Sequence, residues 1–217
     1  VVNCDYDAYF KEMEEMKEKY KGQITLKTGI EFGIQVHTTK AYEETFGQYP
    51  FDFVIFSCHQ VENKEYWRQE PQKGKTQLEY NRRYYQEILD VVKAYKDYSI
   101  LGHLDVIKRY DLNGEIELEK IKDLIEQIFE VVIADGKGIE LNTSSRAYHL
   151  KSLMPSREIL ELYHDMGGKI ITIGSDAHNA DRVGDRVMES QKILKEIGFN
   201  GIYTFDQMKP KFHEFKF

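Results

Sequence analysis

Apolar positions along this chain switch repeatedly between helical spacing and compact strand-like runs. Residues 5–20 (DYDAYFKEMEEMKEKY) predict a charged helix that Gly22 stops. Residues 24–34 (ITLKTGIEFGI) read as a strand rich in β-branched residues, and 39–48 as a short helix. FDFVIFSCH, residues 51–59, is an apolar run of the buried-strand type. The polar stretch 62–75 is long for a connection and contains Trp67, Pro71 and Gly74, so it is a candidate functional loop over the substrate. Residues 76–96 predict a strong helix, YSILGHLD a strand, 117–134 a helix and KGIELNT a strand. Pro155 opens a helix through Met166, closed by Gly167 and Gly168. KIITIGSDAH is the next strand, 181–197 the next helix and GIYTF the last strand. Strands separated by helices predict an α/β fold with a parallel sheet, open or closed into a barrel. No linker rich in Pro, Gly or Ser divides residues 1–217, which read as one domain.

Composition narrows the classes. Hydrophobic residues make up 41% of the chain, enough for a sizeable core. No apolar run approaches the roughly 20 residues that cross a bilayer, so no membrane partner is expected. There is no secretory leader pattern, and the start at Val1 and Val2 reads as the interior of a longer product. Two cysteines give no disulfide framework, and a reducing cytoplasm is the expected location. A net charge of −7 argues against a nucleic-acid partner, yet leaves room for a local cationic pocket taking a small anion. The pattern does not indicate an oligomeric state.

Chemistry gathers at the predicted strand ends. Glu31 lies near the end of the first strand and His59 follows the second. His103 ends the third, Asn142 the fourth, and Asp176 with His178 the fifth. The carboxyl ends of parallel strands open on one face, where α/β proteins place their active sites. Taken singly, each of these residues reads more readily as a structural group, but their joint placement points to a metal centre. Imidazole with carboxylate suits zinc, iron or manganese, and no spaced cysteine pairs offer a thiolate site. The i, i+2 spacing of Asp176 and His178 sends both side chains to one side. Of the other histidines, His149, His164 and His213 fall in helical or surface-like segments, and His37 begins a helix. Cys58 reads as a core residue, facing away from its neighbour His59. Arg109 and Arg146 follow two of these strands, and guanidinium groups there suit phosphate. Arg182 and Arg186 read as surface residues. The phosphate-binding glycine loops and the G-x-S-x-G elbow are missing.

The segments TGIEF, FSCH, GHLDVIKRYD, GIELNTSSR and GSDAHNADRVGD together resemble the polymerase and histidinol phosphatase (PHP) family, in its histidinol-phosphate phosphatase branch. The resemblance implies a distorted, TIM-like (β/α)7 barrel with up to three divalent metal ions. Glu31 would bridge two metals, and His59 with His103 would complete the second site. Asp176 would join the first site and His178 the third, and either could relay a proton. Arg109 and Arg146 would bind the phosphate of a small ester, with L-histidinol phosphate the implied substrate. The family opens with an H-x-H strand, and nothing equivalent precedes Glu31. The barrel is therefore expected to lack its first strand or strands here. A phosphodiesterase or exonuclease of the same family, and a non-catalytic metal- or phosphate-binding remnant, are the rival expectations.

Overall fold

A computed structural model of the chain describes residues 4–217. Helix α1 (Tyr6–Lys19) starts where the Asp5 carboxylate accepts the Ala8 amide, and leads to strand β1 (Gly29–Gly33). Helix α2 (Thr39–Phe46) and strand β2 (Phe53–Ser57) follow. The polar stretch beyond folds into a small hairpin, β3 (Gln60–Val61) with β4 (Lys64–Glu65), and a 3-10 turn over Tyr66–Arg68. Gln69 donates to the Tyr110 carbonyl at 2.6 Å, so this loop is pinned to the chain that follows His103.

Helix α3 (Gln77–Ala94) begins at a Thr76–Glu79 capping box and buries Tyr80, Tyr84, Ile88 and Val91 along one face. Strand β5 (Ile100–Leu101), helix α4 (Lys122–Ala134), strand β6 (Gly138–Asn142), helix α5 (Arg157–Asp165) and strand β7 (Ile171–Gly174) continue the alternation. Helix α6 (Val187–Ile197) precedes strands β8 (Gly201–Asp206) and β9 (Lys209–Glu214).

Five strands form one parallel sheet in the order β1-β2-β5-β6-β7. Strand β6 lies inside it and is buried along its whole length, as parallel strands between helices must be. Among the described residues the ladder is open, with β1 and β7 at its edges. Among the described residues, strands β8 and β9 pair only with each other, antiparallel. Their turn docks under the amino-terminal ends of β1 and β2. Met208 donates to the Asp52 carbonyl at 2.8 Å, and Lys27 reaches Asp206 at 2.5 Å. Phe205 stacks on Phe53 with centroids 6.1 Å apart, so the hairpin covers one mouth of the sheet.

The sequence reading and the structure differ in several places. Strand β1 starts at Gly29 rather than 24, so Glu31 sits at its centre. GIYTF is followed by a further strand, β9, which is exposed throughout, contains Pro210 and carries no hydrophobic period to reveal it. The last helix begins at Val187 rather than 181, because Gly184 and Arg186 adopt left-handed backbone that breaks a helix. Strand β5 spans only two residues, although Gly102 still donates to Phe56 at 2.9 Å. Cys58 is buried in the core as expected, and burial pushes its thiol pKa upward. No helix among the described residues is long and apolar enough to cross a membrane.

Candidate metal centre and active site

The carboxyl ends of the parallel strands bring three ligand-type side chains together. His59 Nε2 lies 3.3 Å from His103 Nε2, and Glu31 Oε1 lies 3.3 Å from the first and 3.1 Å from the second. A divalent ion with bonds of about 2.0 Å places tetrahedral donors roughly 3.3 Å apart. The three atoms therefore already form one face of such a tetrahedron, and the donor chemistry is that of a divalent-metal site. His103 is buried, whereas His59 and Glu31 remain partly open to solvent. Burial opposes ionisation of Glu31, but the two imidazoles and Ser57 outweigh it and hold its carboxyl at about 2. His59 is lowered to about 4 by burial and by His103. Burial also works against a charged His103, yet the Glu31 carboxylate outweighs it and raises that group.

Glu140 lies beside this trio on β6. Its Oε2 accepts the His103 backbone N–H at 3.1 Å and the Asn142 amide at 3.1 Å. Burial pushes its carboxyl above the usual carboxylate range. Glu31, His103, Glu140, Asn142 and Asp176 line one cleft of about 340 Å³ whose far wall is the β8 segment Tyr203–Phe205.

The second part of the site is built around Arg109. A 3-10 helix over Val106–Tyr110 carries it, anchored by the buried Lys108–Asp105 pair at 2.8 Å. The Arg109 guanidinium is nearly enclosed. It stacks 3.9 Å from the Tyr148 ring centroid and donates to Asp176 Oδ2 at 3.0 Å and Ser144 Oγ at 2.5 Å. Asp176 holds a left-handed backbone angle of +49°, uncommon for a residue with a side chain. His178 is mostly exposed, and its Nδ1 sits 3.0 Å from the Asp176 carbonyl.

Of the residues singled out in the sequence, the structure thus groups Glu31, His59 and His103 as one donor set and links Asp176 to Arg109. Asp176 lines the same cleft but is outside the trio, and His178 lies at the rim. Arg146 is exposed and lines a separate cleft with Lys151, Arg157 and Arg186. His37 is exposed and 3.0 Å from Asn63. Sequence reasoning missed Glu140, Ser144 and Tyr148 as site components. Glu140 carried one available signal, since it faces the same way as Asn142, two residues on along a strand.

The fold and this donor set define a parallel α/β protein with a metal-binding site at the carboxyl ends of its strands. A PHP domain model matches residues 2–144, and the chain belongs to that family. It is 30% identical over 205 residues to the histidinol-phosphatase of Lactococcus lactis subsp. lactis, covering 93% of this chain and 76% of the relative. It is 26% identical over 203 residues to a probable histidinol-phosphatase of Clostridium acetobutylicum, covering 92% of this chain and 76% of that one. Among solved structures, the histidinol phosphate phosphatase of Lactococcus lactis, complexed with Zn, L-histidinol and phosphate, superposes with a TM-score of 0.86. It shares 28% identity over 97% of this chain and 81% of its own.

Proposed function

We propose that this chain is a metal-dependent phosphatase that hydrolyses L-histidinol phosphate to L-histidinol and phosphate in histidine biosynthesis. The observation that carries this reading is the Glu31–His59–His103 donor set, whose Glu31 and His103 share one cleft with Asp176, itself paired to Arg109, within a PHP-family chain related to histidinol-phosphatases.

Glu31, His59 and His103 hold one divalent ion, and Asp176 and His178 offer donors toward further ions, up to three, of zinc, iron or manganese. Such ions, when bound, polarise phosphoryl oxygens and lower the pKa of coordinated water. Arg109 binds the phosphate of the ester. Because Tyr148 and Asp176 already fix its guanidinium, little reorganisation accompanies the reaction. Arg146, exposed on the loop after β6, supplies a second cation from the neighbouring cleft. When it is not ligating an ion, His178 would deliver the Nε2 proton of its imidazolium to the departing alkoxide, with Nδ1 engaged by the Asp176 carbonyl. Asp176 holds Arg109 in place and is the alternative proton relay.

The reading takes residues 1–217 as one hydrolase domain within a distorted (β/α)7 barrel, acting in the cytoplasm on a small phosphate ester without nucleic-acid or membrane partners. The high TM-score to a histidinol phosphate phosphatase and the β8–β9 hairpin packed across the sheet support it. The test is a rate comparison of the metal-reconstituted protein on histidinol phosphate, single-stranded DNA and a nucleotide diester. Preferential release of phosphate from histidinol phosphate is expected. Faster cleavage of DNA or the diester, or turnover of none of the three, overturns the assignment.

A further inference from the structure

We infer that Asn142 is a positioning residue that ties the metal-ligand half of the site to its arginine half, through Glu140 on one side and Ser144 on the other. The inference rests on the phosphatase reading above and names how that site is held together.

The three residues are buried, with 5%, 2% and 0% of Glu140, Asn142 and Ser144 exposed. Asn142 Oδ1 accepts the Ser144 backbone N–H at 3.0 Å. A backbone N–H can only donate, so the orientation of the Asn142 amide is fixed and its Nδ2 must face Glu140. Nδ2 donates to Glu140 Oε2, which also accepts the His103 backbone N–H. His103 is thereby set, at its main chain, by a carboxyl that Asn142 holds in place.

On the other side the hydroxyl of Ser144 has a single proton. It goes to Asn142 Oδ1 at 2.5 Å, which leaves the oxygen to accept from Arg109 Nη2 at 2.5 Å. The 3.3 Å approach of Ser144 Oγ to Asp176 is then not a second donation. Arg109 Nη2 donates on to Asp176 Oδ2. The bonds run without a break from His103 through Glu140, Asn142, Ser144 and Arg109 to Asp176. Buried polar networks that are satisfied in this way fix the geometry of the groups at their ends.

Each link has a distinct signature in the zinc-loaded protein, read as zinc affinity by chelator competition and as inorganic phosphate affinity by product inhibition. Asn142→Ala is expected to weaken both by about tenfold or more, the loss of a buried hydrogen bond on each side. Ser144→Ala is expected to weaken phosphate about tenfold and leave zinc within about twofold, because it cuts only the Arg109 arm. Glu140→Gln is expected to hold both near wild type, since one amide oxygen can accept both N–H groups, whereas Glu140→Leu weakens zinc. Rescue by glutamine but not leucine is an outcome that simple core packing would not produce.

Unchanged affinities in Asn142→Ala overturn the inference while leaving the phosphatase reading intact. Equal losses of zinc and phosphate in Ser144→Ala do the same. Wild-type protein that neither retains zinc nor releases phosphate from histidinol phosphate overturns both. If Asn142→Ala does not fold by circular dichroism, the Ser144 variant and the two Glu140 variants decide the question by the same criteria.

Discussion

Gly174 has no room for a β-carbon because the Glu140 carboxyl occupies that position. The two residues face each other across neighbouring parallel strands, with Glu140 paired in register to Thr172. Gly174→Ala must displace the carboxyl that accepts the His103 backbone N–H. Overpacking of this kind costs about 1–3 kcal/mol. We expect a matching drop in urea-unfolding stability together with weaker zinc binding. A variant as stable as wild type would show that Glu140 can move freely.

Removal of a metal ligand has a sharper expected readout. His59→Ala, His103→Ala and Glu31→Ala should each lower the metal retained after dialysis. Altering even an outer partner of a metal ligand lowers affinity by about 10–100-fold, and direct ligands should cost at least that. Elemental analysis is the measurement. Full metal content in the His103 variant would remove it from the donor set.

The two arginines should separate phosphate handling from metal binding. Arg109→Ala is expected to lower turnover of the phosphate ester by about a hundredfold, the scale for loss of a positioned donor at developing charge. Arg146→Ala should lower it less, because Arg146 is exposed and lines a neighbouring cleft. Metal content should stay near wild type in both. Steady-state kinetics alongside metal analysis tests this, and unchanged kinetics in both variants would take the arginines out of the mechanism.

Asp52 makes stability depend on acid pH. Partial burial works against its charge, but the Thr28 and Gln207 backbone N–H groups and Lys17 and Lys27 outweigh burial and lower its pKa. A carboxyl whose folded pKa is depressed contributes stability that is complete above the ordinary aspartate range and lost as pH falls through the folded value. Wild type should therefore lose stability below about pH 4 more steeply than Asp52→Asn. Thermal melts from pH 6 to pH 2 measure it, and parallel curves for the two proteins would refute the role. The same variant should loosen the β8–β9 turn, since Asp52 holds Gln207.

Much of the fold and part of the site were legible in the sequence. The helix and strand alternation follows from local periodicity and capping, and Thr76, Pro155 and Gly167 mark boundaries that the structure keeps within a residue or two. Placing Glu31, His59, His103 and Asp176 at strand ends required only that the strands be parallel. Strand β9 was invisible because an exposed strand of lysines and a proline has no apolar period. The start of α6 was misplaced because the left-handed Arg186 leaves no mark in composition, although Gly184 was a readable break signal. Tyr148 and Ser144 were unreadable as site residues, since each is defined by a partner far along the chain at Arg109.

By itself, then, the sequence determined the donor types, their order and their place at one end of a parallel sheet. Those properties depend on residue chemistry and on short-range periodicity. Tertiary structure alone decided how closely the donors approach. Glu31, His59 and His103 converge to 3.1–3.3 Å, while Asp176 turns to Arg109 and His178 stays at the rim. Such distances are set by strand register, by the Glu140–Gly174 fit and by the buried Asn142 network, which join residues many positions apart. No local pattern encodes a separation of that kind.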